Sequence, residues 1–191
     1  MRKDKRKSII SVVVFIIFFF VISVGYILLI KPKTDYKIDK DSIRFVGDSK
    51  SVTIKSMLSV SNKFGKSIED DNGGAFGYLV FDVTNDSNHS QKYQVYITKT
   101  DDAVKELNSG YVLFYLTDNN NQPYKGYTNN KLPSYDSLDG VIDKPGSYIL
   151  YSDVLNANES AHFILRVWLA ESYIVSDLEK TFSFTIDARA I

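Results

Sequence analysis

His162-Phe163-Ile164-Leu165-Arg166-Val167-Trp168-Leu169 is the stretch whose reading decides the fold. Phe163, Leu165, Val167 and Leu169 alternate with His162, Ile164, Arg166 and Trp168. A period of two places alternate side chains on opposite faces of an extended strand. The uniform apolar set is the expected core face. His162, Ile164, Arg166 and Trp168 are then expected to point outward from the same strand. Trp168 is the single Trp of the chain, and an outward Trp beside Arg is a mixture enriched at interface hot spots. These four residues form the candidate protein-binding stripe.

The same period recurs along the chain. Leu79, Phe81 and Val83 alternate with Tyr78, Val80 and Asp82, and the run ends at Asn85-Asp86-Ser87-Asn88. Tyr93, Val95 and Ile97 make a second run, and Phe182, Phe184 and Ile186 a third. Tyr111 to Thr117 is almost continuously apolar, as a strand covered on both faces requires. Ser147 to Ser152 follows the turn residues Pro145-Gly146. Ile43 to Val46 and Val52 to Leu58 are two weaker candidates. About eight short strands separated by turn signals predict an antiparallel β-sandwich, Ig-like or jelly-roll. Asp101 to Asn108 alone reads as helical, and a short edge strand is expected near Pro123 to Tyr127 within a long loop. Without crossover helices between the strands, a parallel α/β sheet is excluded.

At the other end of the chain, Ile9 to Ile30 carries no charge and no Pro. As a helix it reaches about 33 Å, enough to cross a hydrocarbon core of about 30 Å. The run passes the small residues Ser23 and Gly25 without an A-x-A site, so an uncleaved signal-anchor is expected rather than a signal peptide. The tail Met1 to Ser8 is short and basic, and long domains translocate largely regardless of charge. The expected layout is therefore a basic cytoplasmic tail (1–8), a single transmembrane helix (9–30), a stalk (31–41) and an extracellular sandwich domain (42–191) at the cell membrane.

Composition narrows the chemistry. Lys+Arg and Asp+Glu are equal at 23 each, so no net field points to nucleic acid. Zero Cys excludes disulfides, thiolate nucleophiles and Cys-ligated metals. Tyr 13 and Phe 12 against 4 Pro favour strands. His89 and His162, the two histidines, stand at no ligand spacing, and no G-x-S-x-G elbow occurs. Glu69-Asp70-Asp71-Asn72-Gly73-Gly74 offers oxygen ligands but not the EF-hand order. Asn85, Asn88 and Asn158 open N-x-S triplets of the glycosylation pattern. Leu132-Pro133-Ser134-Tyr135 lacks the Thr-Gly of a wall-sorting signal, and the span lacks a type IV pilin start. No catalytic residue, metal or cofactor is expected.

Gly77 to Asn85, Tyr93 to Ile97 and Phe163 to Leu169 together resemble the strand pattern of TasA/camelysin-like surface proteins. They also resemble membrane-anchored β-sandwich proteins of Gram-positive bacteria. The resemblance implies a jelly-roll subunit of extracellular fibres, released by a signal peptidase, with no catalytic residues. The retained span departs from that pattern. The expectation is a non-catalytic, membrane-anchored binding or structural domain, whose partners are the membrane, other envelope proteins or itself. A fibre or matrix subunit, or an accessory subunit of an envelope secretion or conjugation complex, is the alternative.

Overall fold

The computed structural model describes residues 41–100, 107–129, 131–175 and 180–191. The expected tail, span and stalk lie outside the described residues, apart from Asp41. So does the expected helix over Asp101 to Asn108, except its last two residues. Among the described residues no helix is long and apolar enough to cross a membrane.

Nine strands form two sheets: β1 Ile43–Gly47, β2 Ser51–Lys55, β3 Ser59–Val60, β4 Gly77–Asn85, β5 Gln91–Lys99, β6 Val112–Thr117, β7 Ser147–Leu155, β8 Ser160–Ala170 and β9 Thr181–Ala190. In the first sheet β8 is flanked by β4 and β6, β1 lies outside β4, and β3 joins the C-terminal end of β8 in parallel. The second sheet runs β2-β9-β5-β7, antiparallel throughout. All eight strands read from the sequence are present, and β3 is the addition.

No described strand pairs with its immediate neighbour in sequence. Setting β3 aside, successive strands alternate between the sheets, so connections cross the sandwich instead of turning back as hairpins.

The inner faces meet as alternation predicts. Phe163, Leu165, Val167 and Leu169 have no exposed surface, and Phe182, Phe184 and Ile186 are equally buried across the gap. Phe45, Phe81 and Phe163 stack in series across three strands, with ring centroids 4.8 and 5.1 Å apart. Tyr93 and Phe184 of the second sheet meet Phe163 and Phe114 edge-on at 6.5 and 5.8 Å. Offset-stacked and edge-on contacts are the arrangements that the ring quadrupole favours.

Two boundaries differ from expectation. The strand begun at Val52 stops at Lys55 because the chain folds back there: the Met57 N–H donates to the Lys55 carbonyl, leaving Met57 and Leu58 exposed. In the long loop, Pro123 makes an isolated bridge to Thr117 in place of an edge strand. That loop nevertheless belongs to the core. Tyr127, Leu132, Tyr135 and Val141 are buried, and the Tyr127 hydroxyl donates to the Leu150 carbonyl at 2.8 Å. Bridges from Pro123 and Ser134 cover the outer edge of β6, and one from Gly140 covers the start of β7. Coverage of this kind removes exposed edge hydrogen-bonding groups.

Leu165→Ala should cost about 2–5 kcal/mol of folding stability, the usual cost of truncating a buried Leu. Chemical denaturation of the full chain measures it. An unchanged midpoint would mean that the opposite face of β8 packs the core, since a one-residue slip exchanges the faces.

Candidate functional site

The outward stripe of β8 is the first place to look, and the structure corrects its exposure. Trp168 is fully buried, Arg166 is 4% exposed and Ile164 is also buried. Only His162 remains half-exposed. The three residues do leave the inter-sheet core, as alternation requires, but a second layer covers them.

The connection between β2 and β4 supplies much of that layer. A single helical turn, Asn62–Gly65, lies on Trp168. It starts because the Ser61 side chain caps the Phe64 N–H. A Cβ on Gly65 would stand 2.1 Å from the indole ring, so only Gly allows this approach. Ile68, Ala75 and Phe76 of the same connection are buried.

Arg166 fastens the layer. Its Nε donates to the Ile68 carbonyl at 2.7 Å, and its two terminal nitrogens donate to Thr117 Oγ1 at 3.0 Å and Asn121 Oδ1 at 2.7 Å. Tyr78 lies 5.8 Å from the guanidinium carbon, near enough for a cation–π contact. All three acceptors are neutral. Burial lowers the pKa of Arg166, but a guanidinium stays charged in proteins. The local turn at Asn121 is prepared in advance. Asp118 Oδ1 accepts from the Asn120 and Gln122 N–H groups, and Asn121 takes a left-handed φ of 57°.

His162 Nδ1 lies 2.6 Å from Asp82 Oδ1, directly across the β4–β8 ladder. This carboxylate–imidazole pair has the first two members of a hydrolytic relay. Ser160, the hydroxyl two residues away, pairs with Thr84 Oγ1 at 3.0 Å. His89 stands on the β4–β5 turn instead, against Asn88 and Gln91. The two histidines are not brought together.

The acidic run is spent on its own turn. Asp70 Oδ1 accepts from the Asn72 N–H and Asp71 Oδ1 from the Gly73 N–H. Among the described residues there is no group of three or more His, Asp or Glu placed to hold a metal. Asn85 is also committed: it is fully buried, and its amide nitrogen donates to the carbonyls of His89, Leu155 and Asn156. Its N-x-S triplet is therefore closed in the folded protein. Asn88 and Asn158 are exposed.

The two ends of the sandwich differ. The chain enters where Ile43 pairs with Asn85, beside the β4–β5 and β7–β8 turns. At the opposite end, β2 and β8 finish and β6 begins. Met57, Leu58, Phe64, Tyr111 and Ile174 are exposed there. Sequence reasoning missed this end, although apolar residues in turns (Met57-Leu58, Tyr173-Ile174) were a readable signal. Asn62, Leu113, Ala170, Glu171 and Ser172 line an open depression of about 580 Å³ at this end.

No family model matches the chain, and no curated protein matches it. Among solved structures, a Streptococcus pneumoniae fucose binding module is similar at 12% identity, over 76% of this chain and 94% of that chain, with a TM-score of 0.28. A likeness that low carries no argument about this chain.

The loop and core tyrosines set the alkaline limit of the fold. Burial first, then the carboxylates of Asp118, Asp153 and Asp82, push Tyr124 up to about 12. Burial likewise raises Tyr93, Tyr127, Tyr135 and Tyr151 above the ordinary 10.0. A group with a raised folded-state pKa contributes its stability fully below the unfolded value and loses it as pH climbs through the folded value. Stability should therefore be flat up to about pH 10 and fall through about pH 12. Phenolate absorbance and circular dichroism, followed together, check this. Complete ionisation of all tyrosines near pH 10 with the fold intact would contradict it.

Proposed function

We propose that this chain is a membrane-anchored, extracytoplasmic sandwich of the cell surface whose role is binding or structural, not catalytic. The charge-free run Ile9 to Ile30 carries the proposal, since it meets the length that spanning requires. The short basic tail places the N-terminus inside and the domain outside. Chain entry at one end and exposed apolar side chains at the other fit a domain held from below that presents its tip. Alternation of successive strands between sheets supports the jelly-roll class over the Ig-like one, whose sheets contain sequential hairpins. The Asp82–His162 pair is a structural cross-strand contact in this reading.

A fibre subunit is the second reading. The observation that favours it is that β1 and β2, both five residues long, each end a sheet and can accept a further strand.

Protease added to intact cells should remove the domain and leave a small membrane-bound stub that begins at Met1. Protection of the domain until lysis would overturn the topology. A membrane-extracted chain beginning near Tyr26 would overturn the uncleaved anchor. Ordered filaments from the concentrated chain would decide for the fibre reading.

A further inference from the structure

The depression at the far end has a chemistry of its own. Its walls are the Asn62 turn, the start of β6 at Leu113 and the β8 terminus at Ala170, Glu171 and Ser172. Glu171 and Ser172 sit on a tight turn closed by the Tyr173 N–H donating to the Ala170 carbonyl. That turn brings the Tyr173 ring against Tyr111, with centroids 5.4 Å apart. Tyr111 precedes Leu113 by two residues, so a half-exposed aromatic pair flanks the opening.

A second observation comes from directly behind the wall. Trp168 pairs with Leu113 across the ladder and stands two residues before Ala170. Trp168 Nε1 is the one buried side-chain nitrogen or oxygen without a hydrogen-bond partner among the described residues. The indole edge nearest Gly65 is Cε2–Cζ2, the edge next to Nε1. The unpaired donor therefore borders the helical turn that carries Asn62. A buried donor left unpaired costs about 1–3 kcal/mol and calls for a physical explanation.

We infer that this depression is a binding site for a neutral, polyhydroxylated ring: a sugar unit of a glycan. An amide, a carboxylate and a hydroxyl offer donors and acceptors together, which vicinal hydroxyls satisfy as both acceptor and donor. Leu113, Ala170 and the tyrosine pair supply apolar surface for the C–H face of a ring. No Lys or Arg lines the site, so an anion gains nothing there. The site is open, whereas an apolar ligand requires most of its surface buried. A sugar remains hydrated on its outer side and needs no such enclosure. Trp168 senses occupancy, because seating a ring against the Asn62 turn changes the surroundings of its unpaired N–H. The inference concerns the folded domain and holds whichever side of a membrane it occupies.

The test uses the full chain in a non-glycosidic detergent. Methyl glycosides of glucose, galactose, mannose and N-acetylglucosamine are titrated separately while Trp168 emission and binding heat are recorded. One of them should give a saturable change in both. Glu171→Ala should weaken it about tenfold, as loss of a charge-assisted hydrogen bond does, and Ser172→Ala should weaken it less. His89→Ala, at the entry end, should leave it unchanged. Absence of a saturable response to every sugar overturns the inference, as does binding that survives both Glu171→Ala and Ser172→Ala in folded protein. Failure here leaves the protease result untouched, so the site and the topology are judged separately.

Discussion

The two-sided burial of β8 is the constraint on which the rest of the structure depends. Both its edges are paired, to β4 and β6. Its inner face fills the gap between the sheets, and its outer face at Arg166 and Trp168 is sealed by a second layer. Arg166 makes that sealing specific. A buried guanidinium is costly unless its donors are met, and its three acceptors come from the β2–β4 connection, the end of β6 and the turn beyond it. One cation thereby fixes three segments distant in sequence. Losing any of them would strand a charge in a nearly dry site, which is far more costly than losing a hydrogen bond at the surface.

The topology makes such fastening necessary. With no sequential hairpin among the described strands, little of either sheet forms from local contacts, and folding must close long loops before pairing rewards it. The segment between β6 and β7 contributes by closing β6 with its bridges and placing Tyr127 and Tyr135 in the core. It works as part of the sandwich wall. Its buried phenols tie the integrity of that wall to high pH.

Period-two patterning made the sheets legible, because the inner face must be apolar in every strand and few residues satisfy that by chance. It also assigned the faces of β8 correctly. Coverage of the outer face was not legible. A solvated face and a face under a second layer can carry the same residues, here Ile164, Arg166 and Trp168. What distinguishes them lies elsewhere, in a connection of weak periodicity. Gly65 is the residue that permits the close approach, yet a Gly between Phe64 and Lys66 reads as an ordinary turn. The apolar tip was missed for a related reason: exposed apolar residues in turns carry no period. The far-end depression depends on β6, β8 and the Asn62 turn meeting, which only the fold brings about.

Burial of Trp168 thus moves any recognition surface away from the outer stripe of β8 and towards the far end, opposite the point where the chain enters. Collisional quenching of the single Trp by acrylamide in the native full chain tests this account most directly. Sealed beneath Gly65, Trp168 should be quenched several-fold more slowly than in the denatured chain, and its emission should lie to the blue. Native quenching as fast as in denaturant, with emission at the position of a hydrated indole, would contradict it.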